Sequence, residues 1–96
     1  MKKIAVVLSG SGHQDGSEIT EAVSVIIALS QLGADISFFA PNIEFDEVNH
    51  LTGKKTGLKK NLLQEAARIA RGQVKDIKDL KAKDVDGVVF PGGMGA

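Results

Sequence analysis

The sequence predicts an α/β fold, an open and mainly parallel sheet with helices on its faces. Three observations carry that prediction. Residues 3–8 and 85–90 are short apolar runs without polar alternation, as expected of parallel strands covered on both sides. Residues 17–32 and 61–71 carry apolar side chains at helical spacing. Strand-like and helix-like segments alternate along the chain, which is the order that builds parallel sheets.

Each element has its own signals. The first strand, 3–8, runs into "SGSGHQDG", a turn of Gly, Ser and Asp. The helix over 17–32 has Ile19, Ala22, Val23, Ile26 and Ile27 on one side, and Val25, Ala28 and Leu29 widen that side. Only a narrow polar stripe is left, so this helix is expected to be buried on most sides. Gly33 suits its end. Residues 35–39 form the second strand, closed by Pro41, and strand, helix and strand make a βαβ unit. Residues 42–57 are polar and contain Gly, with a short strand expected near Val48.

The second helix, 61–71, lines up Leu62, Leu63, Ala66, Ala67 and Ala70. Asn61 and Gln64 fit an N-cap and its N3 partner, and Gly72 stops the helix. "VKDI" at 74–77 reads as a short strand, and "KDLKAKDVD" as a polar helical connector. The last strand ends in "PGGMGA". A covering helix is expected to follow such a strand, because a bare face and an unpaired edge are costly. The chain therefore reads as the front part of one larger domain spanning residues 1–96, or as a piece completed by another chain. Alone it is expected to self-associate or to be marginally stable.

Composition narrows the function. Twelve basic and 12 acidic side chains cancel, so there is no basic field for a nucleic-acid backbone. No apolar run approaches the roughly 20 residues that cross a bilayer. The apolar core of the N-terminal stretch, five residues from Ile4 to Leu8, is too short for a signal peptide. There is no cysteine, which rules out disulfides, thiolate metal sites and a cysteine nucleophile from this chain. A cytoplasmic address fits.

Ligands of open α/β sheets bind beyond the carboxyl ends of the strands. Two glycine-rich turns lie at such ends, 9–16 and 91–95. The first presents backbone N–H groups and a helix N-terminus to an anion. Its glycines, Gly10, Gly12 and Gly16, depart from the dinucleotide spacing G-x-G-x-x-G, and "FFAPN" after the second strand offers no acidic residue at the usual ribose-binding point. No G-x-S-x-G elbow surrounds Ser9, Ser11 or Ser17, so a serine nucleophile is disfavoured. His13 and His50 with Asp15 or Glu18 match no metal-ligand spacing. The lysine-rich stretches 54–60 and 75–83 read as solvated faces.

Glu18 has two readings. Asp15 and Glu18 are three apart, as in a cap with Asp15 at N-cap and Glu18 at N3, and acids are favoured in a first helical turn. At the functional edge of a sheet, a partly desolvated Glu18 with a raised pKa would instead hold or move a proton. The residues alone leave both open.

"VVLSGSGHQDGSEITEAV", "NHLTG", "NLLQEAARIARG" and "DGVVFPGGMGA", in that order, resemble the ElbB-like proteins. These are glyoxalases, also described as isoprenoid-biosynthesis proteins with an amidotransferase-like domain, in the PfpI and class I glutamine-amidotransferase-like superfamily. The resemblance runs from Lys2 to Ala96 and covers the front of a domain about twice this length, within the usual domain size. It implies a flavodoxin-like α/β sandwich with helices on both faces, and a homodimer.

It also implies a chemistry. A cysteine at a strand-to-helix elbow, beyond this chain, would attack small dicarbonyls such as glyoxal and yield hydroxy acids without cofactor or metal. Glu18 matches the acid of the first helix, beside that cysteine. Gly92 and Gly93 match a turn whose N–H groups line the pocket, with Gly10 and Gly12 across from it. Relatives often have cysteine at Ser11 and Phe at Met94. Lacking the nucleophile, the chain is expected to be inactive alone. The other expectation is a non-catalytic, dimeric α/β module that binds a small anion at 9–16.

Overall fold

The computed structural model of the chain describes residues 2–95. Strands β1 (Lys3–Val7), β2 (Asp35–Ala40), β5 (Val74–Asp76) and β6 (Gly87–Val89) form one sheet in the order β5-β2-β1-β6. All three pairings are parallel. β1 is the centre: Ile4 to Val6 pair with Ile36 to Phe38 on one side and Gly87 to Val89 on the other. The apolar continuity of β1 follows from that place. Val6 and Leu8 serve one face, Ala5 and Val7 the other, and all four are buried.

Helices α1 (Ile19–Gln31) and α2 (Leu62–Ala70) pack on the Val6 face. Leu62, Ala66 and Ala70 of α2 recur every four residues and are buried, and the alanines let the helix lie close to the sheet. Asn61 Oδ1 accepts the Gln64 N–H at 2.9 Å, the cap expected from the sequence. The opposite face, built on Ala5, Val7 and Phe39, is covered by Ile77, Leu80 and Val85. The expected connector helix is replaced there by two 3₁₀ turns, Ile77–Asp79 and Ala82–Asp84. Asp and Lys side chains hold such short turns more readily than a continuous helix.

Two expectations are corrected. First, α1 is not buried on most sides. Only Ala22 is fully enclosed, with Val25 and Leu29 packed partly on the sheet. Ile19, Val23 and Ile27 are 51%, 39% and 52% exposed. A wide apolar face states what a helix can bury, not what lies against it.

Second, residues 42–57 are not a loop with one short strand. They belong to an antiparallel hairpin of β3 (Glu44–Asn49) and β4 (Lys54–Asn61). No apolar alternation announces β4, "KKTGLKKN". Cross-strand charge supports it instead: Asp46 meets Lys55 at 3.2 Å and Lys59 at 3.5 Å, and Glu47 meets Lys60 at 2.5 Å. Lys60 of β4 reaches Glu65 of α2 at 3.8 Å and ties the hairpin to the helix, while Arg68 meets the same carboxylate from within α2 at 3.4 Å.

β2 follows β1 on one flank, whereas β6 lies on the other. The carboxyl ends of β1 and β6 therefore flank a topological switch point, the place where open α/β sheets bind ligands. The turns 9–16 and 91–95 meet there.

Candidate active site

The first turn closes on itself. Leu8 N–H donates to Phe39 O (2.9 Å), extending β1 by one residue before the chain leaves the sheet. Ser9 and Ser17 then bond reciprocally: the Ser17 hydroxyl accepts the Ser9 N–H (2.9 Å), and Ser9 O accepts the Ser17 N–H (3.0 Å). Ser17 is fully buried, and both its polar groups are satisfied in this way. Gly12 N–H donates to Ser17 O (2.9 Å) and Ile19 N–H to Gly12 O (3.1 Å).

The second turn docks on the first through backbone. Glu18 N–H donates to Gly92 O at 2.6 Å, Met94 N–H to His13 O at 2.7 Å and Gly95 N–H to Gly16 O at 3.3 Å. Gly93 has φ +139°, and a Cβ there would overlap Gly16 O and Glu18 N. Only glycine fits. Among the described residues, the N–H groups of Gly92 and Gly93 have no acceptor. Two backbone donors thus stand unused at the switch point.

The acids of α1 divide the work. Glu18 is the N-cap itself: its Oε2 accepts the Glu21 N–H at 2.7 Å. Asp15 is not the cap, because its Oδ2 is taken by the Val48 N–H of β3 at 2.8 Å. The expected raised pKa is overturned as well. The Glu21 N–H holds the Glu18 carboxyl below the usual range; a smaller desolvation effect opposes this, and the Thr20 N–H, the Thr20 hydroxyl and His13 reinforce it. Glu21, which sequence reasoning passed over, is the acid that reaches the second turn. A Cβ placed on Gly92 would lie 2.9 and 3.1 Å from its two carboxylate oxygens. One helical turn separates the two acids, so a cap at Glu18 leaves Glu21 free to point at Gly92; the E-x-x-E spacing was the available signal.

The four glycines expected in the pocket therefore part company. Gly92 meets the Glu21 carboxylate, and Gly93 meets the backbone of 16–18. Gly12 sits beside Asp15 and His50, and Gly10 packs on Leu62 and Glu65 of α2. Among the described residues no three His, Asp or Glu side chains lie close enough to hold a metal ion. Open clefts of about 680 and 290 Å³ lie elsewhere, beside β2 and β5 toward the amino ends of the strands. No helix among the described residues is long and apolar enough to cross a membrane.

No family model matches the chain. Curated relatives do. It is 43% identical over 96 residues to the human "Glutamine amidotransferase-like class 1 domain-containing protein 3, mitochondrial", covering 98% of this chain and 36% of the relative. It is 41% identical over 96 residues to the rat "ES1 protein homolog, mitochondrial", covering the same shares. Against the zebrafish "ES1 protein, mitochondrial" it is 39% identical over 98 residues, covering 96% and 36%. A solved structure, an isoprenoid biosynthesis protein with amidotransferase-like domain from Ehrlichia chaffeensis, superposes with TM-score 0.95 at 43% identity, over 99% of this chain and 45% of that one. The chain thus spans about a third of the length of the curated relatives it matches. These matches bear out the resemblance to class I glutamine amidotransferase-like and isoprenoid-biosynthesis proteins, and the flavodoxin-like α/β fold with it.

Proposed function

We propose, from the premise that the chain's homologues are glutamine amidotransferase-like class 1 domain proteins, that it supplies the acid and the backbone donors of a cofactor-independent glyoxalase. The observation that carries this reading is the meeting of α1 with the 92–95 turn. Glu18 N–H is bonded to Gly92 O, the Glu21 carboxylate lies against Gly92, and the neighbouring N–H groups of Gly92 and Gly93 have no acceptor among the described residues.

The nucleophile comes from outside, since the chain has no cysteine. A thiolate adds to one aldehyde carbon of glyoxal, a C–S bond forms, and the carbonyl pair moves to oxygen beside the Gly92 and Gly93 N–H groups. The acid of α1 protonates that oxygen. As carboxylate it then takes the proton from the sulfur-bearing carbon to give an enediolate, a proton returns to the adjacent carbon, and the hydroxyl proton passes from the first oxygen to the second, which leaves a thioester. Water cleaves the C–S bond, releasing thiolate and the hydroxy acid. Glu21 fits the proton-carrying role by its place at Gly92. Glu18, whose carboxyl is bonded to the Glu21 N–H, orients the turn.

The remaining features of the proposal are a partner and a place. The segment that relatives carry beyond the matched part completes the domain, as a homodimer in the working form. A small aldehyde is the substrate, with no metal or cofactor. The address is cytoplasmic, whereas the names of the curated relatives say mitochondrial.

The test joins this chain to the remainder of the Ehrlichia protein, with a cysteine at the expected elbow, and adds glyoxal. Glycolate formation by the joined protein, and none by either part alone, is expected. An inactive joined protein that folds like the intact relative, while that relative turns glyoxal over, would overturn the reading. The anion-binding module is the alternative reading; the N–H groups of Ser9, Gly12, His13 and Gln14 in its turn already have protein acceptors, which leaves it fewer donors.

A further inference from the structure

We propose that His50 is a positioning residue: its neutral Nδ1–H tautomer clasps the turn 9–16 and thereby seats the 92–95 turn. Its effect on turnover rests on the aldehyde chemistry proposed above, but the clasp does not.

The segment "NHLTG", residues 49–53, is the tip of the β3–β4 hairpin. Its hydrogen bonds are devoted to one bend. Asn49 O accepts the N–H groups of Thr52 (3.2 Å) and Gly53 (2.7 Å), Asn49 Oδ1 accepts Leu51 N–H (2.9 Å), and Thr52 Oγ1 accepts Lys54 N–H (3.2 Å). This bend aims His50 at the first turn. His50 Nδ1 lies 2.9 Å from Val48 O, which can only accept, so Nδ1 carries the proton. His50 Nε2 is then a bare lone pair, and it receives two backbone donors, His13 N–H at 3.1 Å and Gln14 N–H at 3.2 Å.

The contact is reciprocal. Asp15, with a side chain 8% exposed, accepts the Val48 N–H through Oδ2. Its Oδ1 lies 3.6 Å from His50 Nε2. That is no ion pair in the neutral tautomer, because Nε2 there has a lone pair and not a proton. Gly12 leaves room for the arrangement: a Cβ on it would overlap Asp15 Oδ1 and stand 3.5 Å from His50 Nε2.

What the clasp holds is the site. His13 O accepts the Met94 N–H, and Gly16 O accepts the Gly95 N–H. The residues whose amides bond to His50 therefore border the carbonyls that dock the second turn. A second proton on the ring places N–H against N–H at His13 and Gln14. It also turns the 3.6 Å contact with Asp15 into an ion pair that draws the ring off the two amides. Asp15 from the turn and Glu47 from β3, the latter held by Lys60 at 2.5 Å, are the charged groups facing the ring. His50 thus makes the geometry of the 92–95 turn depend on protonation.

The experiment is NMR on the chain without substrate, reading the two imidazole ¹⁵N shifts of His50 and amide hydrogen exchange across an acid titration. The proposal expects a bare Nε2 and a protonated Nδ1 in the neutral ring. As the ring takes its second proton, exchange corrected for pH should quicken about tenfold at His13 and Gln14, the factor for roughly one hydrogen bond's net free energy. Met94 and Gly95 should follow, with α2 unmoved. His50→Ala should remove the protection at every pH. His50→Gln, which keeps an acceptor, should restore part of it and abolish its titration. An Nε2–H tautomer of the neutral ring, or protection at His13 and Gln14 indifferent to the ring's charge, overturns the proposal. Neither readout depends on glyoxal, so failure here is separable from failure of the enzyme reading.

Discussion

The switch-point turns and the β3–β4 hairpin are joined at His50 and Asp15, yet they are held by opposite means. The turns are fastened by backbone: Glu18 N–H to Gly92 O, Met94 N–H to His13 O and Ser17 N–H to Ser9 O, with Gly16, Gly93 and Gly95 at the tightest approaches. The hairpin is fastened by charged side chains in solvent, Asp46 and Glu47 against Lys55, Lys59 and Lys60. Backbone contacts at van der Waals range tolerate no added atom, whereas exposed ion pairs contribute little each and are screened by salt. The difference teaches where an added side-chain atom is tolerated: readily on the exposed residues 54–59 of β4, and hardly at all at Gly16, Gly93 and Gly95.

The comparison breaks most easily at Gly93. Gly93→Ala should cost roughly 3 kcal/mol, because the residue is strained at φ +139° and its Cβ overlaps Gly16 O and Glu18 N. Thermal or urea unfolding measures it, and a cost under about 1 kcal/mol would show that the turns do not dock as described. Next comes Ser17→Ala, which leaves the Ser9 N–H without its acceptor in a buried setting and should cost about 1–3 kcal/mol. In the hairpin, Lys60→Ala should have the smallest effect of the three and should shrink further in high salt, since its pairs with Glu47 and Glu65 remain partly open to water. A larger loss at Lys60 than at Ser17 would invert the comparison.

Acidity sharpens the same contrast. The carboxyls of Glu18, Asp46 and Glu47 are held below their ordinary values, Glu18 first by the Glu21 N–H, Asp46 by Lys55 and Glu47 by Lys60. Each adds stability that is present above its unfolded-state pKa and lost as pH falls through the folded one. Lys60, raised mainly by Glu47, works in reverse: its share is present below the unfolded value and lost as pH rises through the folded one. Stability should therefore be flat at neutral pH and fall at both ends. Salt should flatten the hairpin's share and leave that of Glu18, which rests first on a hydrogen bond, largely in place. Paired pH titrations of Glu18→Gln and Asp46→Asn, at low and high salt, separate the two.

The sheet was legible in the sequence because β1 is apolar throughout, and a strand buried on both faces has to be. The cap of α2 was legible because Asn61 Oδ1 accepts the N–H of Gln64, three residues on, a wholly local bond. The hairpin was not, since "KKTGLKKN" shows no period-2 pattern and its pairing needs the opposite strand to be known. The cap of α1 misled for a related reason. Asp15 has the right spacing for it, but Val48, 33 residues away, takes its oxygen. Gly92 and Gly93 could be set near the first helix only through a family resemblance. That Glu21, and not Glu18, lies against Gly92 is a contact across 71 residues, and no local rule encodes it.

The central claim is that α1 brings a proton-carrying acid to the backbone donors of residues 92 and 93. The most direct test is glyoxal turnover by the chain joined to a cysteine-bearing remainder, compared with its Glu21→Gln and Glu18→Gln variants. Glu21→Gln is predicted to lose about 100-fold or more in turnover, the scale of general acid–base catalysis, and Glu18→Gln less than about tenfold. Full activity in Glu21→Gln, or a larger loss in Glu18→Gln, would contradict the account.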